Sequence, residues 1–432
     1  MRTICVVGTG YVGLVTGTCL AEIGHRVVCV DNDVRKIQQL KKNNMPIYEP
    51  GLAELVAKNV RAHRLSFSTD LKAAVKVSEI IFIAVGTPPR DDGSADLSYV
   101  ENVACEIARN MRSYKLIVDK STVPVETGEN VETTVRRNLR KNVPFDVASN
   151  PEFLREGSAV HDTFHPDRIV VGVKTARAAD LLKEIFAPIK APVVVTDIKS
   201  AEIIKHASNS FLALKISYIN AVANICERSG ADIEKVAEGM GMDRRIGRSF
   251  LNAGIGFGGF CFPKDLEAFY WISRKLGYEF NLLREVMEIN RSQRAVLVKK
   301  IEDALWNLRG KTVAVLGLAF KPDTDDMRYA PSIEIISALQ KAGAVIRGYD
   351  PQSMHRARTV LKDVHFAKNP YDALKGADCA VIVTEWEEFR KLDLKRAAKL
   401  LKHPIIIDGR NMFDPAAMKK AGFVYKSMGR GE

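Results

Sequence analysis

Thr3-Ile-Cys-Val-Val7 runs directly into Gly8-Thr-Gly-Tyr-Val-Gly13, and Arg26-Val-Val-Cys-Val30 runs into Asp31. The first run reads as a short buried strand, and Leu14 to Ile23 as a helix closed by Gly24. Strand, G-x-G-x-x-G, helix, strand and then an acid about 20 residues past the glycines is the pattern of a dinucleotide-binding βαβ unit. Gly8, Gly10 and Gly13 permit the tight turn, the approach of a pyrophosphate and close helix packing, and Asp31 would accept hydrogen bonds from an adenosine ribose. An acid at that position repels a 2′-phosphate and so favours NAD over NADP, while Arg35 and Lys36 leave the preference slightly open.

The alternation of strand and helix continues. Glu79-Ile-Ile-Phe-Ile-Ala-Val85 ends in Gly86-Thr-Pro-Pro89, Leu116-Ile-Val-Asp119 in Lys120-Ser-Thr-Val-Pro124, and Phe145-Asp-Val-Ala-Ser149 in Asn150-Pro-Glu-Phe-Leu-Arg-Glu156. In a doubly wound sheet ligands bind at the carboxyl ends of strands, so Thr87, Thr122, Glu152 and Glu156 are the polar side chains offered there. A lone surface carboxylate would otherwise be an equally good reading of Glu152 or Glu156.

Lys311-Thr-Val-Ala-Val-Leu-Gly317 repeats the pattern of Arg2-Thr-Ile-Cys-Val-Val-Gly8, and Ala342 to Asp350 repeats Ile23 to Asp31. This predicts a second, degenerate nucleotide-type sheet that has lost the later glycines. Lys321, Arg328 and Arg410 stand at its strand ends and suit a phosphorylated ligand. Between the two sheets, Asp197 to Ser229 carries apolar residues at helical spacing over more than 30 residues, long enough to link domains or form a dimer core. Lys205 and Asn209, four apart, share a face of it. Further helices are expected over Ile233 to Glu238 and Phe280 to Leu308. The expectation is an α/β chain in which two Rossmann-like doubly wound sheets are joined by a central all-helical domain with a long helix. Its segments are residues 1–198, 199–308 and 309–432.

Inside that helical segment lies Gly254-Ile-Gly-Phe-Gly-Gly-Phe-Cys-Phe-Pro-Lys-Asp265. Pro263 suits a first helical turn, and Leu266 to Lys275 continues as a helix ended by Gly277. Cys261 would then lie just before a helix N-terminus, where the dipole and Lys264 favour the thiolate. A cysteine so placed is a candidate nucleophile. A buried cysteine packed beside two phenylalanines is the competing reading, and for a lone cysteine the commoner one.

Composition bounds these expectations. The chain has 432 residues, 46% hydrophobic and 27% charged, too long for one ordinary core and without low-complexity tracts. No apolar run approaches membrane-spanning length, and the N-terminus enters a strand with no signal peptide, so no membrane role is expected. Seven cysteines with no C-x-x-C pair argue against a disulfide framework or a structural zinc, and a reducing cytoplasm fits them. The net charge of +12 comes from interleaved basic and acidic residues, which favours an anionic small substrate over nucleic acid. A thiolate beside NAD has an evident use, since it can add to an aldehyde and carry it through a thioester to an acid.

Taken together, Gly8-Thr-Gly-Tyr-Val-Gly-Leu14, Val85-Gly-Thr-Pro88, Ser121-Thr-Val-Pro124, Asn150-Pro-Glu-Phe-Leu-Arg-Glu-Gly157, Gly256 to Asp265 and Ala319-Phe-Lys-Pro-Asp-Thr-Asp-Asp-Met-Arg328 resemble the UDP-glucose/GDP-mannose dehydrogenase family over essentially the whole length. The resemblance implies a four-electron oxidation of a sugar C6 alcohol to a carboxylate with two NAD. It makes Cys261 the nucleophile and assigns Lys205, Asn209 and Asp265 to water and oxyanion. It puts Glu152 and Thr122 in the same network and gives Glu156 a part in thioester hydrolysis. NAD would meet Gly8, Gly10, Tyr11, Val12, Gly13, Asp31, Lys36, Thr87, Thr122, Glu156, Lys264 and Arg328. The UDP-sugar would meet Glu152, Phe153, Leu154, Arg155, Lys205, Asn209, Phe250, Asn252, Gly254, Gly258, Phe320, Lys321 and Arg410, with Arg245 reaching across a homodimer. UDP-glucose is the sugar nucleotide suggested by Gly13-Leu-Val-Thr-Gly17. GDP-mannose or a UDP-N-acetylhexosamine is the alternative, and a two-electron hydroxyacid dehydrogenase a more distant one. Two residues depart from the family pattern. Phe260 replaces a small residue and is expected to crowd the thiol, and Glu126 replaces a common glycine and is expected to alter only a loop.

Overall fold

The structure, a computed structural model, describes residues 1–431. Its strands are β1 (Thr3–Val7), β2 (Arg26–Val30), β3 (Leu65–Ser68), β4 (Ile80–Ile83), β5 (Lys115–Asp119), β6 (Phe145–Ser149), β7 (Ile169–Val173) and β8 (Val193–Thr196), then β9 (Thr312–Leu316), β10 (Val345–Tyr349), β11 (Val364–Phe366), β12 (Cys379–Ile382), β13 (Ile405–Asp408) and β14 (Val424–Ser427). The first eight form one sheet in the order β3-β2-β1-β4-β5-β6-β7-β8, parallel except where β7 meets β6. The other six form a second sheet in the order β11-β10-β9-β12-β13-β14. The expected α/β class with two Rossmann-like sheets and a central helical region is therefore present. The strands β3, β7, β8, β11 and β14 carried too little pattern to be read from sequence.

Alternation along each strand explains why both faces of each sheet are covered. On β1, Ile4 and Val6 enter one apolar cluster while Cys5 and Val7 enter another, and on β9 Val313 and Val315 part from Ala314 and Leu316 in the same way. The expected long helix is observed as Ile198–Ser229, and the cysteine segment opens the helix Cys261–Lys275. That helix starts at Cys261 itself, one position earlier than expected, because Pro263 fits within a first turn as well as at its start. The helix Asn281–Leu305 stops short of Leu308 at Trp306, whose φ of 60° leaves the helical region. By contacts the chain divides into two compact units, residues 1–208 with 267–278 and residues 209–266 with 279–432. No helix among the described residues is long and apolar enough to cross a membrane.

Glu126 is a correction to the sequence reading. It has a φ of 79° at the N-cap of the helix Thr127–Asn138, a left-handed conformation that favours glycine. Its backbone N–H and that of Gly128 donate to the Glu202 carboxylate at 2.9 and 2.8 Å, so Glu202 on the long helix caps this turn. The consequence of losing glycine here is backbone strain. Burial pushes the Glu202 carboxyl up to about 7 against the pull of those two amides. Burial first, and then Glu202 itself, also raise the carboxyl of Asp119 at the end of β5.

Glu126→Gly is expected to stabilise the protein by about 1 kcal/mol, read as a higher thermal midpoint, and an unchanged or lower midpoint would reject the strain. The raised Glu202 group also fixes a sign with pH. The folded state keeps its proton where the unfolded chain, near 4.5, has released it. This contribution is therefore full below the unfolded value and is lost as pH rises through about 7. The thermal midpoint of wild type is expected to fall relative to Glu202→Gln between pH 5 and 8; a constant gap between the two would count against it.

Candidate active site

In the first unit, the turn after β1 shows three glycines under different demands. A Cβ on Gly8, whose φ is 101°, would lie 2.4 Å from the Ala84 carbonyl oxygen, and one on Gly13 would lie 2.0 Å from that of Gly8. A Cβ on Gly10 would meet nothing within 4 Å. Gly8 and Gly13 are required by the fold itself, whereas Gly10 leaves backbone open at the start of the helix Tyr11–Glu22, which has no side-chain cap. An uncapped helix start with open backbone is a cradle for a pyrophosphate, so these residues fit NAD. Asp31 accepts the Thr9 N–H at 2.8 Å and its hydroxyl at 2.7 Å, and pairs with Lys36 at 3.1 Å. The acid thus anchors the glycine turn; the Asp33 N–H, which it also accepts at 3.0 Å, the Thr9 donors and Lys36 outweigh its burial and hold its carboxyl below the usual range.

β4, β5 and β6 are parallel neighbours, so their carboxyl ends present Thr87, Thr122 and Glu152 along one edge. Thr87 donates to the Thr122 carbonyl at 2.9 Å. Lys120, which nothing in the sequence marked, is buried, donates to Asn150 at 3.0 Å, and has its ammonium pushed down to about 8 by burial. Glu152 pairs with Lys205 at 2.9 Å, the two side chains being only 4% and 5% exposed. Its other oxygen accepts the Leu154 N–H at 2.6 Å. Phe153 lies under the Arg168 guanidinium at 3.7 Å and the Lys205 ammonium at 5.5 Å. Arg155, expected near the sugar, is occupied by Asp162, which takes its Nε, its Nη2 and its backbone N–H.

In the second unit the Gly254–Asp265 loop is held from behind. Asn220 accepts the Gly254 N–H at 2.8 Å, and Asn290 accepts that of Phe257 at 2.7 Å and donates to its carbonyl at 3.0 Å. A Cβ on Gly258 would lie 2.3 Å from the Tyr329 carbonyl oxygen, so the chain's own packing requires glycine here. Arg410 is likewise turned inward. It donates to the carbonyls of Val383, Gly256 and Phe320 at 2.8, 3.0 and 3.4 Å. Its role here is to tie the loop to the second sheet, a use that sequence alone does not distinguish from a surface charge. Asn252 accepts from Arg248 at 2.7 Å, and Phe250 and Phe262 are ring neighbours at 6.4 Å. Lys321 lies over the Phe320 ring at 5.5 Å. Arg245 is 89% exposed in its side chain and pairs with Asp243 at 2.7 Å.

Cys261 is exposed at the start of its helix, while Cys5, Cys19, Cys29, Cys226 and Cys379 are buried. Asp265, one turn on, receives Asn209 Nδ2 at 2.6 Å on one oxygen and Lys264 Nζ at 2.6 Å on the other. Phe260 has a use of its own beside the cysteine. Its ring carries the Arg328 guanidinium at 4.3 Å and the Lys264 ammonium at 5.7 Å, so it is a platform for two cations. Arg328 is further gripped by Asp326 at 2.6–2.9 Å. The expected polar side chains thus gather in two sets, Thr87, Thr122, Glu152 and Lys205 in one unit and Asn209, Cys261, Lys264 and Asp265 in the other. Among the described residues no group of acids, histidines and cysteines could hold a metal ion.

Models of the UDP-glucose/GDP-mannose dehydrogenase family match the chain in three parts: its NAD binding domain over residues 2–190, its central domain over 199–292 and its UDP binding domain over 314–415. The UDP-glucose 6-dehydrogenase TuaD of Bacillus subtilis is 51% identical over 431 residues, covering 100% of this chain and 94% of that protein. A UDP-glucose dehydrogenase from Pyrobaculum islandicum superposes with a TM-score of 0.92 at 41% identity, covering 99% of this chain and 97% of that one. A UDP-D-ManNAc dehydrogenase from Pyrococcus horikoshii superposes with a TM-score of 0.87 at 28% identity, covering 99% of both chains.

The contrast among the thiols gives a direct test. Burial pushes those of Cys19, Cys29 and Cys379 up to about 12, whereas Cys261 is exposed beside a helix start. Iodoacetamide at neutral pH is expected to label Cys261 first, followed by peptide mass spectrometry. Labelling that begins at any buried cysteine would contradict the geometry.

Proposed function

This chain belongs to the UDP-glucose/GDP-mannose dehydrogenase family, and from that premise we propose that it oxidises UDP-glucose to UDP-glucuronate with two NAD. The observation that carries the reading is Cys261, exposed at a helix start and one turn from an aspartate fixed between Asn209 and Lys264. The choice of glucose over other nucleotide sugars is supported by identity: 51% and 41% to proteins named for UDP-glucose against 28% to one named for UDP-D-ManNAc.

NAD supplies the hydride acceptor in each of two oxidations. In sum, the C6 alcohol and one water give the carboxylate, two hydrides leave to two NAD, and three protons are released. The rest belongs to the chain. The Cys261 thiolate adds to the C6 aldehyde, forming a C–S bond, and the resulting thiohemiacetal is oxidised to a thioester. Water then breaks the C–S bond and the thiolate leaves. Asn209 and Lys264, both donors, hold Asp265 as an oriented acceptor for that water or its proton. Lys205, held by Glu152, is the cation for developing oxyanion charge, and Thr122 and Glu156 complete the water network. The cofactor residues are those of the first sheet, with Lys264 and Arg328; the loop Phe250 to Gly258, Phe320 and Lys321 take the nucleotide sugar.

A homodimer fits the same reading. Phe211, Tyr218 and Ile225 are exposed at intervals of seven along the long helix, an apolar seam suited to a second copy. Arg245, exposed and without a role in its own fold beyond Asp243, would then reach the partner's sugar. The seven free thiols suit a cytoplasmic enzyme.

Purified protein offered UDP-glucose, GDP-mannose and UDP-N-acetylhexosamines is expected to turn over UDP-glucose preferentially, with two NADH per sugar. Cys261→Ser should stop before the acid is formed. One NADH per sugar, or an active Cys261→Ser, would overturn the reading.

A further inference from the structure

Glu49, in Pro46-Ile-Tyr-Glu-Pro-Gly51, attracts no attention as sequence, since an acid ahead of a Pro-Gly turn is ordinary loop composition. In the structure it is only 6% exposed. Its carboxylate receives donors from two other segments. The Tyr11 hydroxyl donates to Oε2, the Gly157 N–H donates to the same oxygen at 2.7 Å, and the Val160 N–H donates to Oε1 at 3.3 Å. The Gly157 N–H also reaches the Tyr11 hydroxyl oxygen at 2.8 Å, which closes a three-membered ring of contacts.

The segments joined in this way are the ones the chemistry needs to keep in register. Tyr11 follows Gly10 directly, at the helix start that fits the pyrophosphate. Gly157 follows Glu156 directly, and the N–H held by Glu49 belongs to the peptide that joins them. Gly157 has a φ of 84°, so the chain reverses there, and Ser158 N–H closes the turn onto the Arg155 carbonyl at 3.0 Å. Without Glu49, the Gly157 and Val160 amides would lack a carboxylate, and the hydrogen bond left from the turn to Tyr11 would be one to a phenol. A carboxylate accepts at both oxygens, whereas an amide in its place offers one acceptor and turns a donor toward an N–H.

We propose that Glu49 is a positioning residue of the reaction: it locks the Glu156–Val160 turn to Tyr11 of the glycine-rich turn, so that cofactor seat and Glu156 backbone behave as one rigid piece. The proposal rests on the function given above for its kinetic part, while its binding part concerns the fold of one unit alone. Glu49 itself touches no reacting atom. Its effect runs through Tyr11 to the cofactor and through Gly157 to the step Glu156 assists.

Three measurements on wild type, Glu49→Gln and Tyr11→Phe test it: NAD affinity by calorimetry without sugar, the split of kcat from KM for UDP-glucose, and the intact mass of acid-quenched turnover mixtures. Glu49→Gln is expected to weaken NAD binding and to lower kcat by about ten- to a hundredfold, a range typical of displaced catalytic groups, with little change in the UDP-glucose KM. Sugar should accumulate as a covalent adduct on Cys261, because hydrolysis and not thiol addition is the step that loses its geometry. Tyr11→Phe should show the same pattern in milder form, and it carries the test alone where Glu49→Gln does not fold. A lower thermal midpoint with NAD affinity, kcat and adduct level unchanged would reduce Glu49 to a fold residue and overturn the proposal. Wild type that yields no NADH from UDP-glucose would instead remove the functional reading, and the NAD calorimetry would then decide Glu49 by itself, unchanged affinity overturning it.

Discussion

The interaction on which the rest of this structure depends is a buried carboxylate closing onto backbone amides. Several of the candidate site residues, Thr87, Thr122 and Glu152 among them, stand on loops at strand ends, and such loops carry N–H groups that no ladder or helix satisfies. Asp31 holds Thr9, Glu49 holds Gly157 and Val160, Glu152 holds Leu154, Asp162 holds Arg155, and Glu202 holds Glu126 and Gly128. The second sheet repeats the device. Asp350, the counterpart of Asp31, accepts Leu318 and Ala319 N–H and the Trp386 indole, and Asp408 accepts Arg410, Met412 and Phe413 N–H. Where the acceptor is held ionised, as at Asp31 and Asp162, the bond is stronger than a neutral one, and each loop loses the freedom that would blur a site.

The same logic governs the ionic pairs. Lys205 with Glu152, and Lys264 with Asp265, are almost fully buried. Pairs of this kind recover little more than their desolvation, so their contribution is orientation more than stability. Glu152 divides its oxygens between Lys205 and Leu154, and Asp265 divides its own between Asn209 and Lys264. Every charged group of the two sets is thus fixed by a neighbour before any ligand arrives, which is the preorganisation that electrostatic catalysis requires.

Phe260 and Glu126 show what departures from a family pattern mean physically. The phenylalanine adds a ring on which Arg328 and Lys264 rest, and the glutamate accepts a left-handed backbone with its N–H capped from the long helix. Neither could be deduced from the residue alone, since the first depends on which cations lie within reach and the second on a φ angle.

Much of the fold was legible because its signals are local. The glycine turn, the acid after β2, the echo of both after β9 and the apolar period of the long helix each need only neighbouring residues to be read. The sequence by itself also singled out Cys261, Asp265, Lys205, Asn209, Glu152 and Thr122, because helix spacing and strand tips are short-range properties. The tertiary structure alone decided who holds whom. Glu49 reaches Gly157 across 108 residues and Arg410 reaches Gly256 across 154, contacts that leave no periodic trace. It also decided that Gly258 is a glycine because Tyr329 lies against it, and that Cys261 is exposed while five other thiols are buried. Burial and long-range hydrogen bonding are properties of the packed chain, and no local pattern encodes them.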